Sequence, residues 1–189
     1  EAAIIEGSLR ELRARVAKLG KSFEILVAEN GSVDETADIA SELAKEFKEI
    51  KLIRSPEPNY GAALRLGIEQ ARGTYVCCDE IDICDVDFHR RALELMFGED
   101  GGFDLVVGSK VMPGARDQRP VGRRFATRIV NGMLRVSLGF RGTDTHGLKL
   151  FRREALLPVV RSCVVDRDMF ASELVLRAER NKLRIVEIP

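Results

Sequence analysis

The sequence predicts a three-layer α/β/α fold built on a mostly parallel sheet, and two observations lead to this prediction. Short apolar runs alternate with amphipathic helical stretches from the start of the chain to Gly108. The apolar runs also lack the polar alternation of a half-exposed strand, as expected when helices cover both faces of a sheet. With 189 residues, 45% of them hydrophobic, the chain is long enough for one globular domain with a substantial core.

The first part of the chain divides into four helices and four strands. Apolar residues at helical spacing predict a helix over 2–19, which Gly20 ends. Ser32 and Glu35 have the spacing of a capping box, so the second helix is predicted to begin at Ser32 and to run to about Phe47. The remaining predicted elements are strands over 23–28, 50–53, 74–78 and 103–108, and helices over 60–71 and 85–96.

The second part is more helical and more basic. A loop rich in Arg, Gly and Pro covers 112–120. After it we expect a helix over 125–138, a polar turn over 142–147, a strand over 148–151, helices from 153 and over 169–180, and a last strand over 183–188. No repeat or linker separates the two parts, so we expect residues 1–189 to form a single domain.

Composition excludes several classes of protein. Thirty basic and thirty acidic residues cancel, which argues against a general nucleic-acid binder. No run of about 18 apolar residues is present, so no membrane-spanning helix is predicted. The four cysteines, Cys77, Cys78, Cys84 and Cys163, include no Cys-x2-Cys pair, which argues against a structural zinc site. We expect reduced, mostly buried thiols in a cytosolic protein.

Two acids, Glu80 and Asp82, directly follow the apolar run 75–78. They would lie at the carboxyl end of a buried strand, which is the ligand-binding edge of an open α/β sheet. Two hard oxygen donors at this spacing can share Mg²⁺ or Mn²⁺, and such ions commonly bridge substrate phosphates. A solvated acidic loop is the alternative, because the spacing alone is a weak signal.

Other polar clusters fall at the ends of predicted elements. Glu29-Asn30-Gly31-Ser32 follows the strand over 23–28 and opens a helix, whose N-terminus favours anions. Lys110 ends the strand over 103–108, and Arg123 follows the basic loop; cations there could neutralise a diphosphate. Asp144 lies in a polar turn and could orient a substrate group or act as a base. Ordinary turns, caps and solvated charges are the alternatives for each cluster.

Taken in order, these segments resemble the family-2 inverting glycosyltransferases, and most of all the dolichol- or polyprenyl-phosphate mannose and glucose synthases. The resemblance covers essentially the whole chain. The segments that carry it are Glu29-Asn30-Gly31-Ser32, Asn59-Tyr60-Gly61-Ala62-Ala63, Ala71-Arg72-Gly73-Thr74-Tyr75-Val76 with Glu80-Ile81-Asp82, Asp104 to Lys110, Asp144 to Arg153 and Val186-Glu187-Ile188-Pro189. The resemblance implies a nucleotide-diphospho-sugar-binding fold of the GT-A, Rossmann-like type.

The resemblance also implies roles for individual residues. Glu80 and Asp82 match the metal-binding Asp-x-Asp motif, with Mg²⁺ or Mn²⁺ as the cofactor. Residues 1–110 would form the nucleotide-sugar-binding half and residues 111–189 the acceptor-side half. Asp82 and Asp144 are the implied catalytic residues, and the implied nucleotide-sugar contacts are Glu1, Ala28, Glu29, Asn30, Glu80, Ile81, Asp82, Lys110 and Arg123.

The chain departs from the family pattern at several positions. Glu80 stands where Asp is usual, and Lys110 replaces an Arg that could make a bidentate phosphate contact. Asn30 replaces a common Asp, and Cys84, near the metal motif, is a poor ligand for Mg²⁺. Relatives also begin with a central strand that ends in a Pro-x-x-Asn-Glu pattern. Glu1 matches the Glu of that pattern, so we expect the first central strand to precede the numbered sequence.

The expected activity is transfer of a hexose, with inversion, from GDP-mannose or UDP-glucose to a polyprenyl or dolichyl phosphate. We expect a cytoplasmic protein that associates peripherally with the cytoplasmic face of a membrane. Two alternatives remain open. One is transfer to a hydroxyl acceptor, with Asp144 or Asp166 as the general base. The other is a catalytically weak nucleotide-binding homologue, suggested by the substitutions at Glu80, Asn30 and Lys110.

Overall fold

A computed structural model describes residues 1–55, 57–97, 102–115 and 121–189, apart from the side chains of residues 121 and 123–128. Helices and strands alternate along most of this chain. The helices are α1 (Ala2–Ala17), α2 (Thr36–Glu46), α3 (Tyr60–Gln70), α4 (Val86–Phe97), α5 (Val121–Leu138), α6 (Arg153–Ser162) and α7 (Phe170–Arg180), with a short 3-10 turn at Arg167–Met169. The strands are β1 (Ile25–Glu29), β2 (Ile50–Arg54), β3 (Tyr75–Cys78), β4 (Leu105–Gly108), β5 (Lys149–Arg152) and β6 (Ile185–Ile188).

The strands form two hydrogen-bonded groups. β1 pairs with β2 in parallel, and the other four strands have the order β3-β5-β4-β6. β4 and β6 are parallel, whereas β5 runs antiparallel to both of its neighbours. The α/β class and the mostly parallel sheet are therefore confirmed, and β5 is the strand that runs against the others of its group. The chain enters β5 from the edge at which β4 ends, and this forces β5 to run in the opposite direction.

Helices cover both faces, which confirms the three layers. On one face, α1 and α2 pack against β1 and β2 around Ile5, Leu9 and Leu43, and α4 packs against the larger group of strands around Phe88 and Val106. On the other face, α3, α6 and α7 bury the largest apolar cluster. Adjacent cysteines illustrate the alternation of side chains along a strand: Cys77 packs with the α4 cluster and Cys78 with the α3 cluster.

Two predicted boundaries are wrong. α2 begins at Thr36 rather than at Ser32, and no capping box forms. The Ser32 N–H instead donates to the Glu29 carboxylate, and Asp34 accepts from the Thr36 N–H at 3.1 Å, so the turn consumes the groups that would have capped an earlier start. α5 begins at Val121, ahead of the predicted 125.

The four cysteines are free, as expected. Among the helices that the structure describes, none has both the length and the apolar content that a bilayer crossing requires. The single domain and the strand expected before Glu1 stay predictions.

Candidate active site

Strand register brings three separate turns to one edge of the sheet. Lys149, the first residue of β5, lies opposite Cys78 at the end of β3 and opposite Val107 near the end of β4. The turn after β3, the segment after β4 and the turn before β5 must therefore meet. These are the segments in which the sequence placed Glu80, Asp82, Lys110 and Asp144, so the predicted site residues of both halves converge.

The turn after β3 is shaped by its own backbone. The N–H groups of Ile83 and Cys84 both donate to the Glu80 carbonyl, at 2.9 and 3.1 Å. Cys84 has a positive φ of 40°, and its Sγ lies 3.6 Å from the Glu80 carbonyl oxygen, so the thiol donates back to the turn. The Ile81 side chain packs against the cluster beneath α1 and α2. The turn is thus anchored through Ile81, which leaves the flanking acids free to face a ligand.

The carboxylates of Glu80 and Asp82 have no protein partner among the residues that the structure describes. Glu80 is half-buried and Asp82 is exposed. Most other acids near them are engaged: Asp85, for example, caps α4 by accepting from the Phe88 N–H at 3.2 Å. Two oxygen donors with open lone pairs suit a hard divalent cation that takes its remaining ligands from phosphates and water. The donor set therefore fits Mg²⁺ or Mn²⁺.

Cys84 does not complete this donor set. Burial raises the pKa of its thiol to about 11, with Asp79 and Asp82 contributing further. Sulfur is also too soft a donor to suit Mg²⁺ or Mn²⁺. Its hydrogen bonds to the turn carbonyls give it a role in the shape of the turn.

Lys149 is a buried lysine at this edge that was not among the predicted site residues. It is only 3% exposed, and its Nζ donates to the Gly147 carbonyl at 2.8 Å. Burial lowers the pKa of Lys149, while the charges of Cys78, Asp144 and Glu80 act in the opposite direction. An ammonium group at this position, next to the acidic turn, would supply the positive charge that a diphosphate group needs.

Tyr60 approaches the same acids from the start of α3. Burial raises the pKa of Tyr60 to about 12, and the neighbouring Glu80 is the next largest cause. Its hydroxyl therefore keeps its proton near neutral pH. The preceding residue, Asn59, caps α3 because its side chain accepts from the Ala62 N–H at 3.1 Å.

Asp144 is held rigidly in the turn before β5. It is 1% exposed, and its two oxygens accept from the backbone N–H groups of Lys110, at 3.2 Å, and His146, at 2.9 Å. Glu187 of β6 supports the turn from below, because it accepts from the Thr143 N–H at 2.7 Å and from the Thr143 hydroxyl at 2.6 Å. Asp144 therefore ties the end of β4 to the start of β5.

The end of β1 is connected to this edge by a series of hydrogen bonds. The Asn30 side chain accepts from the Asn59 N–H, and Asn59 accepts from the Arg167 N–H at 2.8 Å. The next residue, Asp168, has its carbonyl 3.3 Å from Nε2 of His146. Glu29 is 4% exposed and is occupied by the Ser32 N–H within its own turn. Of the predicted nucleoside contacts, Asn30 thus faces this network, while Glu29 is used locally.

Two predicted residues are not joined to the site by the described contacts. Glu1 is exposed, and its amino group lies 2.9 Å from Asp34, at the start of α2. Arg123 belongs to α5, but its side chain lies outside the described residues. The basic loop residues 116–120 lie outside them as well.

The sequence analysis missed Lys149, Tyr60 and Glu187. Lys149 had a visible signal, because it is one charged residue within the apolar run Leu148-Lys149-Leu150-Phe151. A charge in a strand covered on both faces is costly unless it has partners, so that position called for a functional or paired role. Tyr60 and Glu187 carried no comparable signal, because their proximity to the site depends on the strand order.

Solved structures show the same fold. A mycobacterial protein matches with a TM-score of 0.65 over 100% of this chain and 61% of that one, at 21% identity. The glucosyl-3-phosphoglycerate synthase of Mycobacterium tuberculosis matches with a TM-score of 0.56 over 98% of this chain and 64% of that one, also at 21% identity. These likenesses, with a carboxylate edge at the strand ends, define the class as a GT-A-like fold.

The family follows from the sequence comparison. The chain belongs to glycosyl transferase family 2, whose model matches residues 1–157. The expectation of a family-2 glycosyltransferase is thereby confirmed.

Curated relatives include the glycosyltransferase AglD of Haloferax volcanii (34% identity, 89% of this chain and 27% of that protein) and a dolichyl-phosphate beta-glucosyltransferase of Trichomonas vaginalis (32%, 88% and 53%). A polyprenol monophosphomannose synthase of Mycolicibacterium smegmatis is 30% identical over 93% of this chain and 68% of that protein. The chain thus spans between about a quarter and two thirds of the length of these relatives.

Proposed function

We propose that this domain transfers a hexose, with inversion, from a nucleotide-diphosphate sugar to a polyprenyl or dolichyl phosphate, with GDP-mannose or UDP-glucose as the donor. The observation that carries the proposal is the carboxylate pair Glu80 and Asp82, unpaired among the described residues, beside the buried cation of Lys149. Two of the relatives are named for polyprenol or dolichyl phosphate sugar transfer, which supports the same choice of acceptor.

The donor half of the proposal depends on the turn after β3. Glu80 and Asp82 would hold Mg²⁺ or Mn²⁺, which when bound neutralises charge on the donor diphosphate. Ile81 fixes the turn through its packing, so the carboxylates keep their positions without protein partners. Lys149 adds a fixed positive charge that stabilises a departing diphosphate more strongly than a solvated lysine could, because it lies in a low-dielectric setting.

The choice of a phosphate acceptor depends on whether any described candidate acid is free to act as a general base. Asp144 already accepts two backbone N–H groups, and Asp166 lies 3.2 Å from Arg65, so both candidate bases are engaged. A hydroxyl acceptor would need a free base to remove its proton. A phosphate monoester is largely ionised at neutral pH and needs none. The engagement of both acids therefore favours a phosphate acceptor.

The proposed reaction is one displacement. An oxygen of the acceptor phosphate forms a bond to the anomeric carbon while the bond from that carbon to the donor diphosphate breaks, and the bonding pair leaves with the nucleoside diphosphate. One displacement inverts the anomeric centre. The protein contributes positioning and charge stabilisation, which together account for large rate enhancements without a protein nucleophile.

An exposed apolar surface on α5 supports access to a lipid acceptor. Val136 is 91% exposed, Met133, three positions earlier, is 63% exposed, and Ile129, four positions before Met133, is 48% exposed. Apolar side chains at this spacing form a stripe on one helix face. Such a stripe on a helix of the acceptor-side half is suited to contact with a membrane surface, which would make the association peripheral.

The decisive experiment compares two acceptors that differ only in the phosphate. The purified domain is incubated with Mn²⁺, with GDP-mannose or UDP-glucose, and with either a polyprenyl phosphate or the corresponding polyprenol. We expect hexosyl-phosphoryl-polyprenol from the phosphate and no product from the alcohol. Transfer to the alcohol at a comparable rate would refute the phosphate acceptor, and binding of a donor without transfer to either lipid would support the catalytically weak homologue instead.

A further inference from the structure

A cluster of three side chains lies behind the acidic turn, on the opposite face of β3 from Lys149. The cluster consists of the Cys77 thiol, the Asp79 carboxylate and the His89 imidazole, and one ligand atom from each lies within 4.8 Å of the others. Cys77 and Asp79 are two positions apart, so they share one face of β3 and its extension. His89 comes from the first turns of α4, which Asp85 fixes by accepting from the Asp87 and Phe88 N–H groups.

Packing and capping leave two polar atoms of this cluster unexplained. The His89 side chain is 7% exposed and the Asp79 side chain 15%. His89 Nε2 lies 2.7 Å from Oδ2 of Asp79, but without the alignment of a hydrogen bond, and Oδ1 of Asp79 is likewise without a partner among the described residues. Buried polar atoms without hydrogen-bond partners cost free energy of folding. A bound cation would satisfy both of them at once.

We propose that Cys77, Asp79 and His89 form a zinc site, separate from the Glu80 and Asp82 pair and independent of the proposed sugar transfer. A thiolate, an imidazole and a carboxylate form a borderline-soft donor set that suits Zn²⁺ and does not suit Mg²⁺. Two ligand atoms on a tetrahedral zinc lie roughly 3.3 Å apart. The present separations, at most 4.8 Å, thus exceed this spacing by no more than about 1.5 Å.

The site has three protein ligands, which leaves one coordination position for water or a further group. The absence of a Cys-x2-Cys pair argued against a four-ligand structural site, and that argument does not apply to this spacing. On binding, the S–H bond of Cys77 breaks, the thiolate bonds to the metal, and the proton passes to solvent. Because Asp79 directly precedes Glu80, a bound zinc would join the start of the acidic turn to α4.

Cobalt is the probe, because a thiolate bonded to Co²⁺ gives a charge-transfer band that oxygen ligands do not. Metal-free protein is titrated with Co²⁺ and then with Zn²⁺, which displaces it. We expect one equivalent to produce the thiolate band and tetrahedral visible bands, and Zn²⁺ to raise the apparent melting temperature. Absence of a thiolate band at saturating Co²⁺ would overturn the proposal.

Matched variants assign the band. Cys78 is the neighbouring thiol and faces the other side of the sheet, so C78S should keep the band, whereas C77S should lose it. H89Q should weaken Zn²⁺ binding by more than the roughly 10- to 100-fold that loss of an outer-shell partner causes. The double variant E80Q/D82N should keep the thiolate band of the wild type. Equal loss in C78S and C77S, or loss in E80Q/D82N, would show that the cluster is not the site.

Discussion

The two acidic turns at the ligand edge use their carboxylates in opposite ways. In the turn after β3, Glu80 and Asp82 have no partner among the described residues, and apolar packing of Ile81 holds the turn in place. In the turn before β5, Asp144 is 1% exposed and accepts two backbone N–H groups. The first turn is therefore suited to bind a ligand, and the second to hold the site in shape.

The difference has a physical origin. A carboxylate that accepts several backbone N–H groups is well satisfied without any ligand. A carboxylate without partners at a protein edge gains little from folding and keeps its lone pairs available for a cation. Sequence motifs mark both kinds of acid in the same way, so only the contacts separate a binding carboxylate from a positioning one.

Asp82→Asn tests the first turn and should give the largest effect. Removal of one ligand charge should lower kcat/KM for sugar transfer by about 10²- to 10³-fold, a loss typical of a single electrostatic stabiliser. The free energy of unfolding should change by less than about 0.5 kcal/mol, because Asp82 is exposed and makes no described contact.

Asp38→Asn is the matched control for that change. Asp38 is an exposed acid in the first turn of α2, so its loss alters net charge equally while activity stays near that of the wild type. The measurement is transfer rate against Mn²⁺ concentration, together with a denaturant melt. Wild-type activity in Asp82→Asn would contradict the proposed metal pair.

Lys149→Met tests the cation that lies between the two turns. We expect kcat/KM to fall by about tenfold, the equivalent of about 1.4 kcal/mol. We also expect the free energy of unfolding near pH 7 to rise by about 1 kcal/mol, because a buried charge is replaced by an apolar side chain of similar length. A functional residue is expected to show this opposition between activity and stability.

The same variant has a distinctive pH dependence. Burial lowers the pKa of Lys149 in the folded state below its ordinary value of 10.5. At pH values between the folded-state pKa and 10.5, the unfolded state binds more protons than the folded state. The free energy of unfolding of the wild type therefore rises with pH relative to that of the variant. The stability difference should therefore narrow as pH approaches 10.5. Lys45→Met, at an exposed ion pair, is the control and should show a difference of less than about 0.5 kcal/mol.

The features that the sequence predicted correctly are those that residues close together in the chain determine. The alternation of elements, the paired acids after β3 and the opposite faces of Cys77 and Cys78 are all set by neighbouring residues in sequence, and they could be inferred. Lys149 could not be assigned to the site in the same way, because its proximity to Glu80 depends on β5 lying between β3 and β4. Glu187 is comparable: a carboxylate on the last strand reaches Thr143 only because β6 pairs with β4.

Asp144→Asn and Glu187→Gln test whether the second turn is structural. An amide has one acceptor oxygen where the carboxylate has two, so Asp144→Asn leaves one of its two backbone N–H partners facing another donor, and it should lower the free energy of unfolding by about 1–3 kcal/mol. In Glu187→Gln the Thr143 hydroxyl can accept from the new amide, so we expect a smaller loss of about 1 kcal/mol. If Asp144 only positions the turn, activity should fall together with stability, and the acidic limb of the pH–rate profile should keep its shape. Flattening of that limb in Asp144→Asn would identify Asp144 as a base and favour a hydroxyl acceptor.

Cys84→Ala should give the smallest effect, and it tests whether the metal ligands of the first turn extend beyond Glu80 and Asp82. The thiol donates weakly to the carbonyls of Glu80 and Ile81, at 3.6 and 3.7 Å, and its pKa is raised to about 11 by burial. A protonated, weakly bonded thiol is dispensable for a hard cation, so the Mn²⁺ concentration for half-maximal rate should shift by less than about twofold, or ~0.4 kcal/mol. A shift as large as that in Asp82→Asn would show that Cys84 is a metal ligand. The first turn would then offer three donors to the cation, whereas the turn before β5 offers none.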